Sequence, residues 1–180
     1  MMPDKTELVF ILDRSGSMSG LESDTIGGFN GLIEKQKKEP GEAVVTTVLF
    51  DHEYELLHDR VPLQFVPPIS EKEYYVRGST ALLDAVGKTV GKIAHAQRTL
   101  PQGERARRVL FVIITDGMEN ASREYTYETV TRLIDERQRK FGWEFLFLGA
   151  NMDAAAAAAQ MGIRQDRAVN YHADSQGTQL

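Results

Sequence analysis

The sequence predicts an α/β fold: a doubly wound, mostly parallel central sheet with one antiparallel edge strand and helices on both faces. Three observations carry this. Two runs, Leu8–Leu12 (LVFIL) and Val109–Thr115 (VLFVIIT), are continuously apolar and rich in β formers, as strands covered on both faces are. Segments of helical periodicity follow each of them. Strand and helix then alternate along the chain, the pattern of a parallel sheet wound by crossover helices.

The elements follow in order. After Leu8–Leu12, the stretch Asp13-Arg14-Ser15-Gly16-Ser17 stops the first strand. Leu21, Thr25, Phe29, Leu32, Ile33 and Gln36 recur at steps of about 3.6 and predict a helix that ends before Pro40-Gly41. Gly27, Gly28 and Gly31 weaken that helix intrinsically, so close packing is expected to compensate. Ala43–Phe50 and Glu55–Phe65 read as two strands joined by Asp51-His52-Glu53, with Pro62, Pro67 and Pro68 pushing the second to an edge. A hairpin at one edge of the sheet follows.

From Ala81 to about Gln97, Leu82, Leu83, Val86, Val90, Ile93 and Ala94 form one apolar stripe, with Ser79 or Thr80 as the capping residue that begins the helix. Val109–Thr115 is the second central strand, and Tyr127–Phe141 is a helix with Val130, Leu133, Ile134 and Phe141 inward. Trp143–Leu148 is a strand, Met152–Met161 a helix built on six consecutive alanines, and Ala168–Tyr171 a short final strand. The two long apolar runs are expected side by side in the middle of the sheet. No internal repeat and no Pro/Ser/Gly-rich linker divides the chain, so residues 1–180 read as one domain, with a core over about residues 6–171 and a polar tail at 172–180. That tail is expected to be irregular or only to start a helix, leaving part of one sheet face less covered.

Composition narrows the function. The 180 residues are 42% hydrophobic and 26% charged, an ordinary globular balance. Twenty-one Lys and Arg against 26 Asp and Glu give a net charge of −5, which repels a phosphate backbone, so nucleic acid is not an expected partner. The basic clusters Lys35/Lys37/Lys38, Arg105/Arg107/Arg108 and Arg137/Arg139/Lys140 lie beside acids and read as solvated faces. The absence of cysteine excludes disulfides, thiolate zinc sites and a cysteine nucleophile. Met1–Glu7 is polar, and the five-residue run after it is too short for a signal sequence or a membrane span. A cytoplasmic location without a membrane partner is therefore expected.

Three polar clusters fall at loop positions of this fold: Asp13 to Ser17 after the first strand, Gly78-Ser79-Thr80 before the second long helix, and Thr115-Asp116-Gly117 after the second central strand. In a doubly wound sheet such loops meet on one rim. In the first loop the oxygen-bearing side chains occupy every second position, so a locally extended turn, with Gly16 supplying backbone freedom, points Asp13, Ser15 and Ser17 the same way. With Thr80 and Asp116 the set is two carboxylates and three hydroxyls. Hard oxygen donors without imidazole or thiolate suit Mg²⁺ best, with Mn²⁺ or Ca²⁺ as alternatives. Taken alone, Asp13 and the serines equally fit caps for the first helix; Thr80 and Asp116 decide for a metal.

At these residues the sequence resembles the von Willebrand factor A domain family, whose metal-ion-dependent adhesion site has the pattern D-x-S-x-S, a distant Thr and a distant Asp. Asp13, Ser15 and Ser17 match the first element, Thr80 within Arg77-Gly-Ser-Thr-Ala-Leu-Leu-Asp84 the second, and Asp116 within Ile114-Thr-Asp-Gly-Met-Glu-Asn120 the third. The resemblance covers about residues 6–171. It implies a Rossmann-like sheet, direct metal coordination by Ser15 and Ser17, a contribution from Thr80 that changes with conformational state, and Asp13 and Asp116 acting directly or through water. It also implies a partner protein whose Asp or Glu completes the metal shell. Members with an adjacent calcium site carry acids just after D-x-S-x-S; here Met18-Ser19-Gly20 follows, which argues against a second metal site. Asp84 reads as an acid beside the site or on the helix surface, and Arg77, Met118 and Glu119 as candidates for the contact rim.

Two function classes compete. The first is a metal-dependent protein-binding module without catalytic activity. The second is a Mg²⁺-dependent hydrolase or phosphoryl-transfer enzyme on the same rim, which needs a general base or activated nucleophile near the metal. His52, His58, His95 and His172 all lie outside the three loops, and neither G-x-G-x-x-G nor G-x-x-x-x-G-K-[ST] occurs. Membership of a larger assembly is a third expectation, resting on the resemblance only.

Overall fold

The apolar run after Glu7 forms the centre of the sheet because neither of its faces meets water. In a computed structural model of the protein, which describes residues 5–116, 119–150 and 152–171, β1 (Lys5–Asp13) pairs in parallel with β2 (Glu42–Phe50) on one side and β4 (Arg108–Thr115) on the other. The strand order is β3-β2-β1-β4-β5-β6, with β5 at Glu144–Ala150 and β6 at Ala168–Tyr171. Among the described residues only β3 (Tyr54–Pro62) runs antiparallel, against β2 at the edge. The two long apolar runs are neighbours in the middle, and the hairpin closes one edge, as the sequence predicts.

Side chains of β1 alternate between two cores, as the two-residue strand period requires. Leu8, Phe10 and Leu12 meet Phe29 and Ile33 of α1 (Glu22–Lys37), together with Val66, Ile69 and Tyr74 from the segment after β3. Val9 and Ile11 meet Val86, Val90 and Ile93 of α2 (Leu82–Thr99), beside Val130 and Ile134 of α3 (Tyr127–Phe141) and Ala154 and Ala158 of α4 (Ala154–Gln160). Asn30 of α1 pins the long β3–α2 connection by exchanging two bonds with the Ile69 backbone, Nδ2 to O at 3.0 Å and N to Oδ1 at 2.9 Å.

Several boundaries differ from the sequence reading. β3 stops at Pro62, and Leu63–Phe65 is a 3-10 turn; Pro62 brings no N–H to continue the ladder. The alanine helix is Ala154–Gln160, shorter at both ends: Asp153 caps its start by accepting from Ala156 N at 3.2 Å, and Gly162 in the left-handed region (φ 82°) follows its end. Of the α1 glycines only Gly28 is buried; Gly27 and Gly31 are exposed with open space around them, so close packing does not compensate there. Neither Ser79 nor Thr80 caps α2, which starts from Ala81 without a side-chain cap of its own. The polar tail at 172–180 lies outside the described residues. No helix among the described residues is long and apolar enough to cross a membrane.

Candidate metal centre

Asp13 ends β1 with its carboxylate folded onto the backbone that follows. Oδ1 accepts from Ser15 N at 2.8 Å and Oδ2 from Thr115 Oγ1 at 2.8 Å, so the acid joins the ends of both central strands. Its carbonyl accepts from the Tyr74 hydroxyl. The loop is extended only as far as Ser15 (φ −68°, ψ 165°); Gly16–Met18 then form a 3-10 turn. That turn, rather than a continued extended chain, brings the Ser17 hydroxyl to 3.0 Å from that of Ser15. Gly16 is not among the residues with positive φ, so the freedom expected of it is not used; the left-handed glycine of this loop is Gly20 (φ 93°).

The second loop is stitched to the first. Arg77 N donates to Arg14 O at 2.8 Å and Gly16 N donates to Gly78 O at 2.9 Å. Gly78 sits at φ 57°, and a Cβ there would lie 2.4 Å from His52 Nδ1 and 2.7 Å from Asp51 Oδ2, so both conformation and space demand glycine. Thr80, buried at the loop's end, donates its N–H to Asn120 Oδ1 at 2.8 Å and accepts from Asn120 N and Ala121 N. The third loop is thereby tied to the second.

The third loop also supplies the missing cap of α2. Glu119 Oε1 accepts from Leu83 N at 2.8 Å, and Ser122 Oγ accepts from Asp84 N at 2.9 Å. Asp84 answers by accepting the backbone N–H of Arg123, Glu124 and Tyr125 at 2.8, 2.9 and 2.8 Å. Glu119 is therefore a helix cap rather than a contact residue, since its other oxygen accepts from Ala121 N and Ser122 N. Arg77 is held by Asp51 (Nε to Oδ2, 2.7 Å) and Glu53 (Nη2 to Oε2, 2.9 Å) and is still part-exposed on the rim. Met118 lies outside the described residues.

Of the predicted ligands, Asp13, Ser15 and Ser17 form one hydrogen-bonded group; Asp13 and Ser15 are buried and Ser17 is exposed. Asp116 is half-buried and near enough for its charge to act on Asp13. Thr80 enters through the backbone bonds that join the three loops. Burial is the main cause that raises the Asp13 carboxyl to about 6; hydrogen bonds from Ser15 and Thr115 oppose it, and the Asp116 charge adds to it.

The donor chemistry fits a divalent cation. Three carboxylates have no exposure at all, Glu7, Asp13 and Asp51. Glu7 is paired with Arg60 and Asp51 with Arg77, whereas Asp13 has no basic partner among the described residues. A buried acid beside a second acid, with hydroxyls at its side, lacks a positive charge that a cation supplies. Among the described residues no three His, Cys, Asp or Glu side chains gather as a metal site.

Solved structures place the fold. The chain superposes on manganese-loaded TRAP protein of Plasmodium vivax with a TM-score of 0.65 at 16% identity, covering 98% of this chain and 71% of that one. A von Willebrand factor type A protein from Catenulispora acidiphila gives a TM-score of 0.64 at 13% identity, over 94% of this chain and 38% of that one. Proximal thread matrix protein 1 from the mussel byssus, with a zinc-occupied MIDAS motif, gives 0.61 at 15% identity, over 96% and 42%. This chain has the von Willebrand factor A fold. It spans less than half the length of the second and third of these proteins. No family model and no curated protein matches the sequence.

Within the von Willebrand factor A fold, several supports of the site escape sequence reasoning. Thr115 was visible as part of a polar cluster, and the parallel register Leu12↔Ile114 sets it beside Asp13. Tyr74, 61 residues from Asp13, carries no sequence signal for its contact. His52 lies outside the three loops, yet its ring stands against Gly78, which brings one imidazole to the second loop.

Proposed function

We propose that the chain is a divalent-cation-dependent protein-binding module in which Asp13, Ser15, Ser17, Thr80 and Asp116 hold one Mg²⁺ and a partner's Asp or Glu completes the shell. When bound, the ion supplies a Lewis-acid position for a carboxylate oxygen. Mg²⁺ takes about six oxygens at roughly 2.0–2.1 Å and usually keeps water, so these side chains leave room for an external ligand. The observation that carries the reading is the fully buried Asp13 carboxylate, beside Asp116 and without a basic partner among the described residues. Manganese and zinc in proteins of the same fold support a divalent cation in general.

Each protein group has a plain task. Thr115 and the Ser15 N–H fix the Asp13 oxygens, and Tyr74 holds the Asp13 carbonyl. The Ser15 and Ser17 hydroxyls bond each other at 3.0 Å, and the Asp13 carboxylate accepts from Ser15, so the serines are tied into the same group as the acid. Hydrolysis or phosphoryl transfer on this rim is the second reading, favoured by one observation, the His52 ring beside Gly78. An affinity capture with Mg²⁺, with chelator and with Asp13→Ala as bait tests the module reading. Partners held only with Mg²⁺ and intact Asp13, and released when their own acid is changed to the amide, are expected. A captured set unchanged by chelator and by Asp13→Ala would overturn it; Mg²⁺-dependent cleavage of a phosphate ester that His52→Ala abolishes would favour the enzyme.

A further inference from the structure

At the opposite end of the sheet from the metal centre, where the parallel strands begin, lies a cavity of about 350 Å³. This is at the low end of the roughly 300–1,000 Å³ of small-molecule sites. Its walls come from the last turn of α2, the α2–β4 connection, the last turns of α3 and the residue before β5. Arg98, Arg105, Arg107 and Arg137 line it, with Phe141 and Trp143. The sequence suggested that residues 105–108 and 137–140 were solvated faces. For Arg108 and Arg139 that holds, since they pair with Glu144 and Asp135 at the surface. Arg105 and Arg107 are exposed too, and with the part-buried Arg137 they line one concavity.

We propose that this cavity binds the phosphate groups of a compact di- or triphosphate. The charge balance is the first argument. Both α2 and α3 end here, and each helix end contributes about half a negative charge. Arg105 covers the end of α2, donating from Nε to Leu100 O at 3.0 Å and from Nη2 to Arg98 O at 3.2 Å. Among the described residues Glu136 is the one acid within ion-pair reach of the four arginines, 3.6 Å from Arg137 Nη2. Four guanidinium charges exceed these together, in a chain whose net charge is −5. Capping of the helix ends therefore does not account for all of them.

Preorganisation is the second. The Arg137 guanidinium centre lies 4.6 Å from the Phe141 ring centroid and 5.2 Å from that of Trp143, so aromatic faces fix its direction. The Arg107 main chain is fixed by its N–H to Lys5 O at 2.8 Å, while its guanidinium has no hydrogen-bond or ion-pair partner among the described residues. Planar, always charged forks converging from three segments match the tetrahedral, multiply charged oxygens of phosphates better than a single carboxylate.

Trp143 is the one tryptophan of the chain and lines this cavity, so its fluorescence responds to a ligand bound there. The test titrates sodium tripolyphosphate into the full chain in excess EDTA, which keeps metal from bridging phosphate to the other rim, with calorimetry in parallel. Saturable binding is expected, weakened about tenfold by Arg107→Gln and by moderate salt, and unchanged in Asp13→Ala. ATP binding as tightly as tripolyphosphate means that phosphates alone are read; tighter binding adds a base on the exposed Phe141 ring, and both outcomes support the site. No saturable binding by either method up to about 10 mM, equal affinity in Arg107→Gln, or a glutamate-rich peptide binding more tightly than tripolyphosphate would overturn it.

Discussion

Asp84→Ala should cost the protein roughly 2–3 kcal/mol and loosen the metal centre with it. The Asp84 carboxylate takes three backbone N–H groups, from Arg123, Glu124 and Tyr125. Hydrogen bonds to a charged group are worth about 1.5–3 kcal/mol each where water is excluded. Arg123 and Glu124 are exposed, so water replaces much of what they lose, and about 1 kcal/mol per bond is the better figure. Asp84 stands in the first turn of α2, where a negative charge is itself favourable, so alanine's helix propensity returns little of this. Urea denaturation followed by circular dichroism at neutral pH reads the difference as a lower midpoint with an unchanged slope. Asp84→Asn, which keeps one carbonyl acceptor, should fall between. The latch holds the loop that leaves Asp116, so Mg²⁺ affinity should drop by about tenfold, the low end for partners that support a ligand. A stability change below about 0.5 kcal/mol would refute the reasoning, because the three bonds would then add nothing that water does not replace.

Two further outcomes follow from the buried charges. Asp13, raised from 3.8 to about 6, binds its proton more tightly folded than unfolded, so its contribution to stability is full below about pH 4 and lost as pH rises through about 6. In chelator, wild type minus Asp13→Ala should show this loss, up to about 3 kcal/mol, while Mg²⁺ affinity rises with pH over the same window; a flat difference from pH 4 to 7 would contradict it. Among the described residues, Arg60→Met leaves the unexposed Glu7 side chain with Gln97 alone, after loss of bonds at 3.0 and 3.1 Å. Since Arg60 is a quarter exposed, a cost of about 3 kcal/mol is expected in urea denaturation, partly recovered by adding Glu7→Gln; a cost under about 1 kcal/mol would show that the pair is not held apart from water.

The sheet was legible because burial on both faces leaves an unbroken apolar run. Leu8–Leu12 and Val109–Ile114 have no polar residue to mislead, and the first polar residues after them mark the rim. The prolines likewise announced the edge strand. What escaped depends on contacts between residues distant in sequence. Ser79 and Thr80 look like caps because local patterns see only a turn ahead, while the acceptor for Leu83 N comes from Glu119, 36 residues on. Tyr74 and Asn120 act on the site through bonds to backbone, which no composition or periodicity records. The arginine cavity is the same case: its residues stand in three segments that look solvated one by one.

The central claim is that Asp13 anchors one divalent-cation site whose loss leaves the fold standing. Calorimetric titration of Mg²⁺, and separately Mn²⁺, into wild type and Asp13→Ala at neutral pH, with circular dichroism as the fold control, tests it most directly. One site per chain in wild type, no measurable binding in Asp13→Ala and superimposable spectra are the predicted result. Equal metal affinity in the two proteins, with both folded, would contradict the account.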